Sequence, residues 1–273
     1  MYKEFFGLKE EPFENTLDPR FLYRSSQMTE ALSRLQYVVE NRKGSAVLTG
    51  VYGCGKTLLA NTLVAGLNQR NYQTAFITNP QLTSVELLRA IARHLGAGNL
   101  PHNLNEMSTD YFLEIIEDIL INNAKDGRDT LIIIDEAHVI ADLNAMEELR
   151  LLLNFQFETR FLLTLLLMGQ PELSEKISKA KQLLQRIAIS FHIGPLSYEE
   201  VASYIVYRLG VAGVERQIFN AEAIEVVYRM SGGIPRRINN LCDLSLLLCS
   251  ARNSQVVAGR IVEEAAATSF WLA

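Results

Sequence analysis

The chain has 273 residues, which is enough for one large domain or two smaller ones with a buried core. Apolar residues make up 48% and charged residues 21%, a balance typical of folded proteins, so the composition excludes a disordered chain. The formal net charge of −5 argues against a protein that mainly coats nucleic acid, because such domains are usually basic, although it leaves room for a local basic groove.

Cysteine usage and the N-terminus predict a cytoplasmic protein. The three cysteines, Cys54, Cys242 and Cys249, are too few and too scattered for a disulfide framework or a zinc site, which favours a reducing compartment. The first residues lack the basic start, apolar run and cleavage site of a signal peptide. The longest nearly apolar run, residues 161–168, is far shorter than the roughly 20 residues of a membrane span.

Short apolar runs alternate with amphipathic stretches along the first 195 residues, as in repeated strand–helix units. The predicted strands cover residues 46–49, 74–78, 131–135, 161–168 and 189–193. The predicted helices cover residues 28–41, 57–68, 85–95, 111–123, 146–155 and 171–184, and the clearest long loop is 96–105. Strands separated by helices imply a mostly parallel sheet with helices on both faces.

The pattern changes after Gly194-Pro195, where only helical periodicity remains. Ser197 followed by Glu200 predicts a capping box at the start of the first of these helices. The predicted helices of this region are 198–209, 221–231, 234–251 and 259–267. We therefore expect two domains, an α/β domain of residues 1–195 and a helical domain of residues 196–273.

The first motif with chemical meaning is Gly50-Val-Tyr-Gly-Cys-Gly-Lys-Thr57, which fits G-x-x-x-x-G-K-[ST] between a predicted strand and a predicted helix. Glycines permit positive φ, so that successive N–H groups surround phosphate oxygens at the positive end of the helix dipole. Lys56 is expected to contact the β- and γ-phosphates and Thr57 to bind Mg²⁺. The predicted nucleotide-binding residues of this segment are Gly50, Tyr52, Gly53, Cys54, Gly55, Lys56, Thr57 and Leu58.

Cys54 lies inside this loop and has two interpretations. Oxidation of its thiol would obstruct phosphate binding and make the site redox-sensitive. Alternatively, Cys54 is a small side chain tolerated at a variable position, and this is the interpretation that we favour.

The second motif is Thr130-Leu-Ile-Ile-Ile-Asp-Glu-Ala-His138, a predicted buried strand that delivers two carboxylates to the edge where open α/β sheets bind ligands. Asp135 is expected to hold Mg²⁺ through its waters, and Glu136 to polarise the attacking water. Together the two motifs predict a nucleotide hydrolase.

Asp-Glu-Ala-His also occurs in one helicase class, but the residues after Pro195 are too few and too helical for the second lobe of those enzymes. His138 is therefore interpreted as a supporting or packing residue.

Further segments match one family in its own order. They are Tyr2-Lys-Glu-Phe-Phe-Gly-Leu8, Glu11-Pro-Phe13, Asp18-Pro-Arg-Phe-Leu-Tyr23, Glu30-Ala-Leu-Ser-Arg-Leu35, Gly169-Gln-Pro-Glu-Leu173, Gln185-Arg-Ile187, Gly194-Pro-Leu-Ser197 and Gly232-Gly-Ile-Pro-Arg-Arg-Ile-Asn239. In these the chain resembles the GspA/ExeA family, AAA+ ATPases associated with bacterial type II secretion and related pilus or exopolysaccharide systems. The resemblance implies a P-loop α/β domain with five parallel strands in the order 5-1-4-3-2, and a C-terminal helical lid.

The resemblance also implies roles for three further residues. Gln170 matches sensor 1, which contacts the γ-phosphate or orients the water, and is otherwise a polar residue at a strand end. Arg236 matches sensor 2, reaching the nucleotide from the lid, with Arg237 beside it as its rival. Arg186 matches an arginine finger that acts across a subunit interface, and is otherwise an arginine at a helix end. The predicted catalytic residues are thus Glu136, Lys56, Gln170 and Arg186.

The N-terminal aromatic residues resemble the family segment that covers the adenine, and they could equally fasten the N-terminus to the core. They are Phe5, Phe6, Phe13 and Tyr23. Two residues depart from the family pattern, Leu17 where a proline is usual and Met28 where a histidine is expected. Family relatives continue into a membrane segment and a peptidoglycan-binding domain, so we expect either a short member of the family or a fragment.

These observations predict an ATPase that binds ATP and Mg²⁺ and forms a homo-oligomer, either an ATP-dependent dimer or a hexameric ring. By resemblance it would assemble or energise a secretion, pilus or exopolysaccharide apparatus, with an inner-membrane partner protein and a peripheral location at that membrane. The alternative is a DNA-binding AAA+ ATPase that regulates transposition, which the acidic net charge disfavours without excluding it. A third reading, a scaffold with negligible turnover, is weakened by the presence of Glu136.

Overall fold

The computed structural model describes residues 2–67, 71–98, 100, 108–157 and 160–268. Two compact units make up the chain, and each consists of separate segments. The sheet unit contains residues 29–51 and 60–193. The helical unit contains the chain up to residue 28, residues 52–59, and the chain from residue 194.

The strands are, in chain order, β1 (Ser45–Gly50), β2 (Tyr72–Ile77), β3 (Asp129–Ile134), β4 (Gln156–Phe157), β5 (Arg160–Phe161), β6 (Leu163–Gly169) and β7 (Ile187–Ile193). The α-helices are α1 (Tyr2–Phe6), α2 (Ser26–Glu40), α3 (Lys56–Gly66), α4 (Ser84–His94), α5 (Thr109–Lys125), α6 (Leu143–Leu152), α7 (Glu172–Lys179), α8 (Lys181–Leu184), α9 (Tyr198–Val211), α10 (Ala221–Ser231), α11 (Pro235–Ala251) and α12 (Gly259–Ala267). Among the described residues, no helix is both long and apolar enough to cross a membrane.

The sheet unit is built on five parallel strands in the order β2-β3-β6-β1-β7. Strands β4 and β5 form a separate antiparallel pair. When only the five sheet strands are numbered, this order is 5-1-4-3-2, so the predicted order is confirmed. The central strands β1 and β6 are buried along their whole length, as expected for an apolar parallel sheet covered on both faces.

Some predicted elements differ from the observed ones. The predicted strand 161–168 is split, because residues 160–161 pair with β4 and β6 begins only at Leu163. The predicted helix 171–184 is split as well, because Ala180 leaves the helical region with ψ of 69°. The predicted helix 57–68 ends at Gly66, and its last residue lies outside the described residues, as does most of the predicted loop 96–105.

The helical unit has its own apolar core, and the N-terminal segment is part of it. The Phe13 ring packs edge-to-face on Phe219 at 5.9 Å between ring centroids. Buried Arg208 of α9 donates hydrogen bonds to the carbonyl oxygens of Pro12 and Glu14. The sequence prediction grouped the N-terminal segment with the α/β domain, whereas its apolar side chains fill the core formed by the C-terminal helices.

The predicted capping box at the start of α9 is confirmed. The Ser197 hydroxyl accepts from the Glu200 backbone N–H at 3.3 Å, and the Ser197 N–H donates to the Glu200 carboxylate at 3.0 Å. These two bonds satisfy donors that the first turn of a helix leaves without a helical partner. They fix the point at which the C-terminal helices begin.

Candidate phosphate-binding loop and acidic strand end

The segment after β1 has the backbone conformation of an anion-binding loop. Gly53 and Gly55 have φ of +88° and +93°, which side-chain-bearing residues rarely adopt. Helix α3 begins immediately afterwards at Lys56, which is buried, and Thr57 follows in the first helical turn. The N–H groups at the start of this helix and the positive end of its dipole favour an anion here.

Gly50 is required for a different reason. It is the last residue of β1, and a Cβ at this position would stand 2.6 Å from the carbonyl oxygen of Ile193 in β7. No side chain fits at that distance without moving the backbone. Gly50 therefore permits the close approach of two strands just before the loop.

Arg236, the predicted sensor, contacts the loop within the helical unit. Its guanidinium lies 4.5 Å from the centroid of the Tyr52 ring and donates a hydrogen bond to the Tyr52 hydroxyl. The Arg236 backbone N–H donates to the carbonyl oxygen of Gly53 at 3.2 Å. A Cβ on Gly53 would come within 2.9 Å of the Cβ of Arg236, so this glycine also admits the start of α11.

A small, mostly apolar cavity adjoins the loop in the same unit. Its lining residues come from the N-terminal segment, the loop and the C-terminal helices, and they are Phe21, Leu22, Tyr23, Met28, Cys54, Gly55, Leu58, Leu196, Tyr204 and Pro235. The Tyr204 hydroxyl donates to the Asn239 side chain at 2.7 Å, which fixes the ring of Tyr204. The cavity offers apolar surface and two tyrosine rings beside Cys54 and Gly55 of the loop.

The N-terminal aromatic residues lie in two different places. Tyr23 lines the cavity beside the loop. Phe6 and Phe13 lie instead in the core of the helical unit, and Phe5 packs against the Phe6 ring. The sequence prediction did not connect Leu196 or Tyr204 with this cavity, because Leu196 stands just before a predicted helix and Tyr204 lies within it.

Cys54 is fully buried, and burial raises the pKa of its thiol to about 11 despite the nearby charge of Lys56. The thiol is therefore protonated at neutral pH, which makes it a poor nucleophile. This geometry supports the interpretation of Cys54 as a small buried side chain.

We expect alkylation of Cys54 by iodoacetamide to be very slow at pH 7.5. Because the thiolate reacts and its fraction grows about tenfold per pH unit below the pKa, the rate should rise steeply towards pH 11. Peptide mass spectrometry after timed labelling checks this, with Cys54→Ser as the negative control. Complete labelling of Cys54 within minutes at pH 7.5 in the folded protein would restore the redox interpretation.

The acidic strand end lies in the sheet unit. Asp135 directly follows β3 and is buried, and its Oδ1 accepts the Glu136 backbone N–H at 2.8 Å. Glu136 has φ of +54°, a left-handed conformation that costs a residue with a side chain about 1–3 kcal/mol. The carboxylate of Glu136 is one-third exposed, whereas that of Asp135 is enclosed. The two neighbouring acids therefore have different surroundings.

Gln170 is brought to the same group of residues. It follows β6, the strand between β1 and β3, so it lies at the same carboxyl edge as Asp135. Its side-chain amide lies 3.1 Å from Nε2 of His138, and the Glu136 carboxylate lies 3.3 Å from Nδ1 of that ring. His138, which the sequence interpretation treated as a supporting residue, thus connects the two predicted catalytic residues.

Arg186 is not brought together with these residues. It precedes β7 at the amino end of the strand, where its carbonyl accepts from the Ser45 hydroxyl at 2.7 Å and its guanidinium donates to Asn154 at 3.0 Å. A seven-residue strand is about 20 Å long, so Arg186 lies at the opposite edge of the sheet from Asp135 and Glu136.

Comparison with known proteins identifies the family. A family model described as "AAA domain" matches residues 39–177. Over 265 residues the chain is 38% identical to general secretion pathway protein A of Aeromonas hydrophila, and the match covers 96% of this chain and 47% of that protein. The chain therefore spans about half the length of this relative.

Solved structures share the fold at low sequence identity. The ORC2 protein of Aeropyrum pernix, determined in ADPNP–ADP complexes, is 18% identical with a TM-score of 0.70, over 95% of this chain and 72% of that one. Cdc6p of Pyrobaculum aerophilum is 15% identical with a TM-score of 0.73, over 93% of this chain and 69% of that one. These similarities show that the chain has the α/β P-loop NTPase fold. The chain belongs to the AAA family of P-loop NTPases and, within it, is similar to the GspA/ExeA group that its sequence motifs indicate.

Proposed function

We propose that the chain binds Mg-ATP at the loop of residues 50–57 and hydrolyses it slowly. The observation that carries this proposal is the loop itself, in which Gly53 and Gly55 take positive φ directly before a helix that begins at Lys56. Turned N–H groups, a helix N-terminus and a buried lysine all favour the phosphates of a nucleotide. Lys56 would contact the β- and γ-phosphates.

In this proposal Thr57 and Asp135 each supply a donor that suits Mg²⁺. Thr57 offers a hydroxyl oxygen, and Asp135 offers a buried carboxylate. Mg²⁺ usually takes only one or two ligands from the protein, and phosphate oxygens and waters complete its coordination shell. The ion, when bound, would neutralise charge on the phosphates. In this proposal Glu136 accepts a proton from the attacking water, and Gln170 orients that water or the γ-phosphate.

Tyr23, which lines the cavity beside the loop, would lie near the adenine, because an aromatic ring offers area and a stacking face. Arg236 would contact the γ-phosphate and so link it to the C-terminal helices. Its guanidinium stays charged, and the residue already contacts the loop at Tyr52 and Gly53. We propose residues 196–273, the predicted helical domain, as the lid of the ATPase. Nucleotide binding and release would then alter contacts among the N-terminal segment, the loop and α11.

Arg186 would act on ATP held by a neighbouring copy of the chain, because its side chain lies at the far edge of its own sheet. This makes the active form a homo-oligomer, a dimer or a ring. The similarity to general secretion pathway protein A supports a role in assembling or energising a bacterial secretion apparatus from the cytoplasmic side of the inner membrane.

Phosphate release from Mg-ATP by the purified chain tests the activity, with EDTA as the metal-free control. The proposal predicts Mg²⁺-dependent release that saturates with ATP, and release at the EDTA background would contradict it.

The cellular role is tested by measuring secreted enzymes in the medium of a strain that carries only the Glu136→Gln variant. Loss of secretion supports the role, and normal secretion with loss of ATPase activity contradicts it.

The alternative of a DNA-binding regulator leads to a separate prediction. Because the net charge is −5, we expect the dissociation constant for duplex DNA to exceed about 1 µM at about 0.15 M salt. Fluorescence anisotropy with a labelled duplex, with and without ATP, measures it. Submicromolar affinity with a steep salt dependence would favour the transposition regulator instead.

A further inference from the structure

The imidazole of His138 lies between two residues of the proposed ATPase site. Its Nδ1 accepts the Gln170 backbone N–H at 3.3 Å, and its Nε2 lies 3.1 Å from the side-chain nitrogen of the Gln170 amide. The Glu136 carboxylate reaches the same Nδ1 at 3.3 Å. The ring is only 13% exposed, so these protein groups largely replace water as its partners.

The position of the ring is fixed from two sides. A Cβ on Gly169, the last residue of β6, would stand 3.1 Å from Nδ1, closer than most Cβ contacts, so a side chain there would press on the ring. The Lys176 ammonium of α7 donates to the carbonyl oxygens of His138 and Ile140, the latter at 2.8 Å. The short 3₁₀ turn Ala137–Val139 is thereby held against α7.

The hydrogen-bonding capacity of the ring makes its two neighbours depend on each other. A neutral imidazole has one N–H donor and one nitrogen acceptor. At Nδ1, the Gln170 N–H requires the acceptor, whereas the Glu136 carboxylate requires the proton. Only one of these partners can be satisfied at a time, and the Gln170 side-chain amide at Nε2 must match whichever tautomer results.

We propose that His138 is a positioning residue that couples the orientation of Gln170 to that of Glu136. This inference rests on the proposed function, in which both residues act on the attacking water. When Nδ1 accepts the Gln170 N–H, it makes no hydrogen bond to the Glu136 carboxylate. Glu136 can then accept a proton from the attacking water. When Nδ1 carries the proton, it holds Glu136 instead, and Gln170 loses one of its two bonds to the ring.

Steady-state kinetics test the coupling. His138→Ala and His138→Phe should lower kcat for ATP about 10- to 100-fold, the usual effect of removing a group that orients active-site residues, with KM within about twofold of the parent. His138→Gln keeps a donor and an acceptor and should recover most of the activity. The double variant His138→Ala/Gln170→Ala should lose little more than the poorer single variant. Additive losses, or equal activity of the Phe and Gln variants, would contradict coupling through the ring.

Nuclear magnetic resonance of nucleotide-free protein labelled with ¹⁵N-histidine gives a readout that needs no turnover. The chain has four histidines, and His138→Gln identifies the resonances of the proposed ring. Gln170→Ala and Glu136→Ala should each shift the His138 ring nitrogens while leaving those of His94 and His192 in place. Unchanged His138 resonances in both variants would overturn the proposal even if the protein hydrolyses ATP. An inactive parent with shifted resonances would instead count only against the proposed function.

Discussion

Glu136→Gln is expected to bind Mg-ATP as the parent does while its turnover falls about 10²- to 10⁴-fold, the usual contribution of a general base. The amide keeps the size of the side chain but cannot accept the proton of the attacking water. Lys56→Ala should instead weaken the binding of ATP. A charged hydrogen bond to phosphate contributes about 1.5–3 kcal/mol, so its loss should lower the affinity roughly 10- to 150-fold. Titration with a fluorescent ATP analogue and phosphate release separate the two defects.

Matched variants control for the change of charge alone. Glu175→Gln and Lys179→Ala alter exposed residues of α7, and both should bind and hydrolyse ATP like the parent. Equal turnover of Glu136→Gln and the parent would show that Glu136 is not the base. Similar losses in the control variants would mean that net charge, not the site, sets the rate.

Arg186→Ala is expected to retain ATP affinity within a few-fold of the parent while turnover falls roughly a thousandfold or more. The guanidinium stays charged and can bridge two phosphate oxygens as negative charge develops. Because the proposal places this arginine against the ATP of a neighbouring copy, parent activity should rise more than linearly with protein concentration. Mixing Arg186→Ala with Lys56→Ala should restore activity, since a mixed interface can combine one intact loop with one intact arginine.

The contact between Arg186 and Asn154 provides the control for a purely structural role. If the arginine only anchors the chain before β7, Asn154→Ala should reproduce the loss of turnover, because it removes the bond that the guanidinium makes in this structure. We expect Asn154→Ala to remain active. A mixture that stays inactive although both variants still assemble would assign Arg186 to that structural role.

Where a motif lies in one contiguous segment, the sequence was sufficient to predict its backbone conformation. The spacing of Gly50, Gly53 and Gly55 before Lys56 reflects a backbone requirement, and the structure shows the positive φ values that explain the last two glycines. The strand order followed from the family resemblance and is confirmed by the topology. Asp135 was recognisable because an apolar run that ends in acids marks the end of a buried strand.

Features that depend on distant segments were not predictable in the same way. The cavity beside the loop takes Phe21, Leu196 and Tyr204 from widely separated parts of the chain, and the sequence pattern does not show that these residues meet. The N-terminal segment packs with the C-terminal helices because of the shapes of their apolar surfaces, which composition does not encode. The contact between His138 and Gln170 depends on the register of two neighbouring elements, 32 residues apart in sequence.

The most direct test of the ATPase assignment is the identity of the nucleotide that stays bound to Glu136→Gln. The variant is incubated with Mg-ATP, passed rapidly over a desalting column, denatured and analysed by anion-exchange chromatography, with Lys56→Ala and the parent treated in parallel. We expect ATP on Glu136→Gln, ADP on the parent and little nucleotide on Lys56→Ala. Equal nucleotide on Lys56→Ala and the parent, or ADP on Glu136→Gln in the same amount as on the parent, would contradict it.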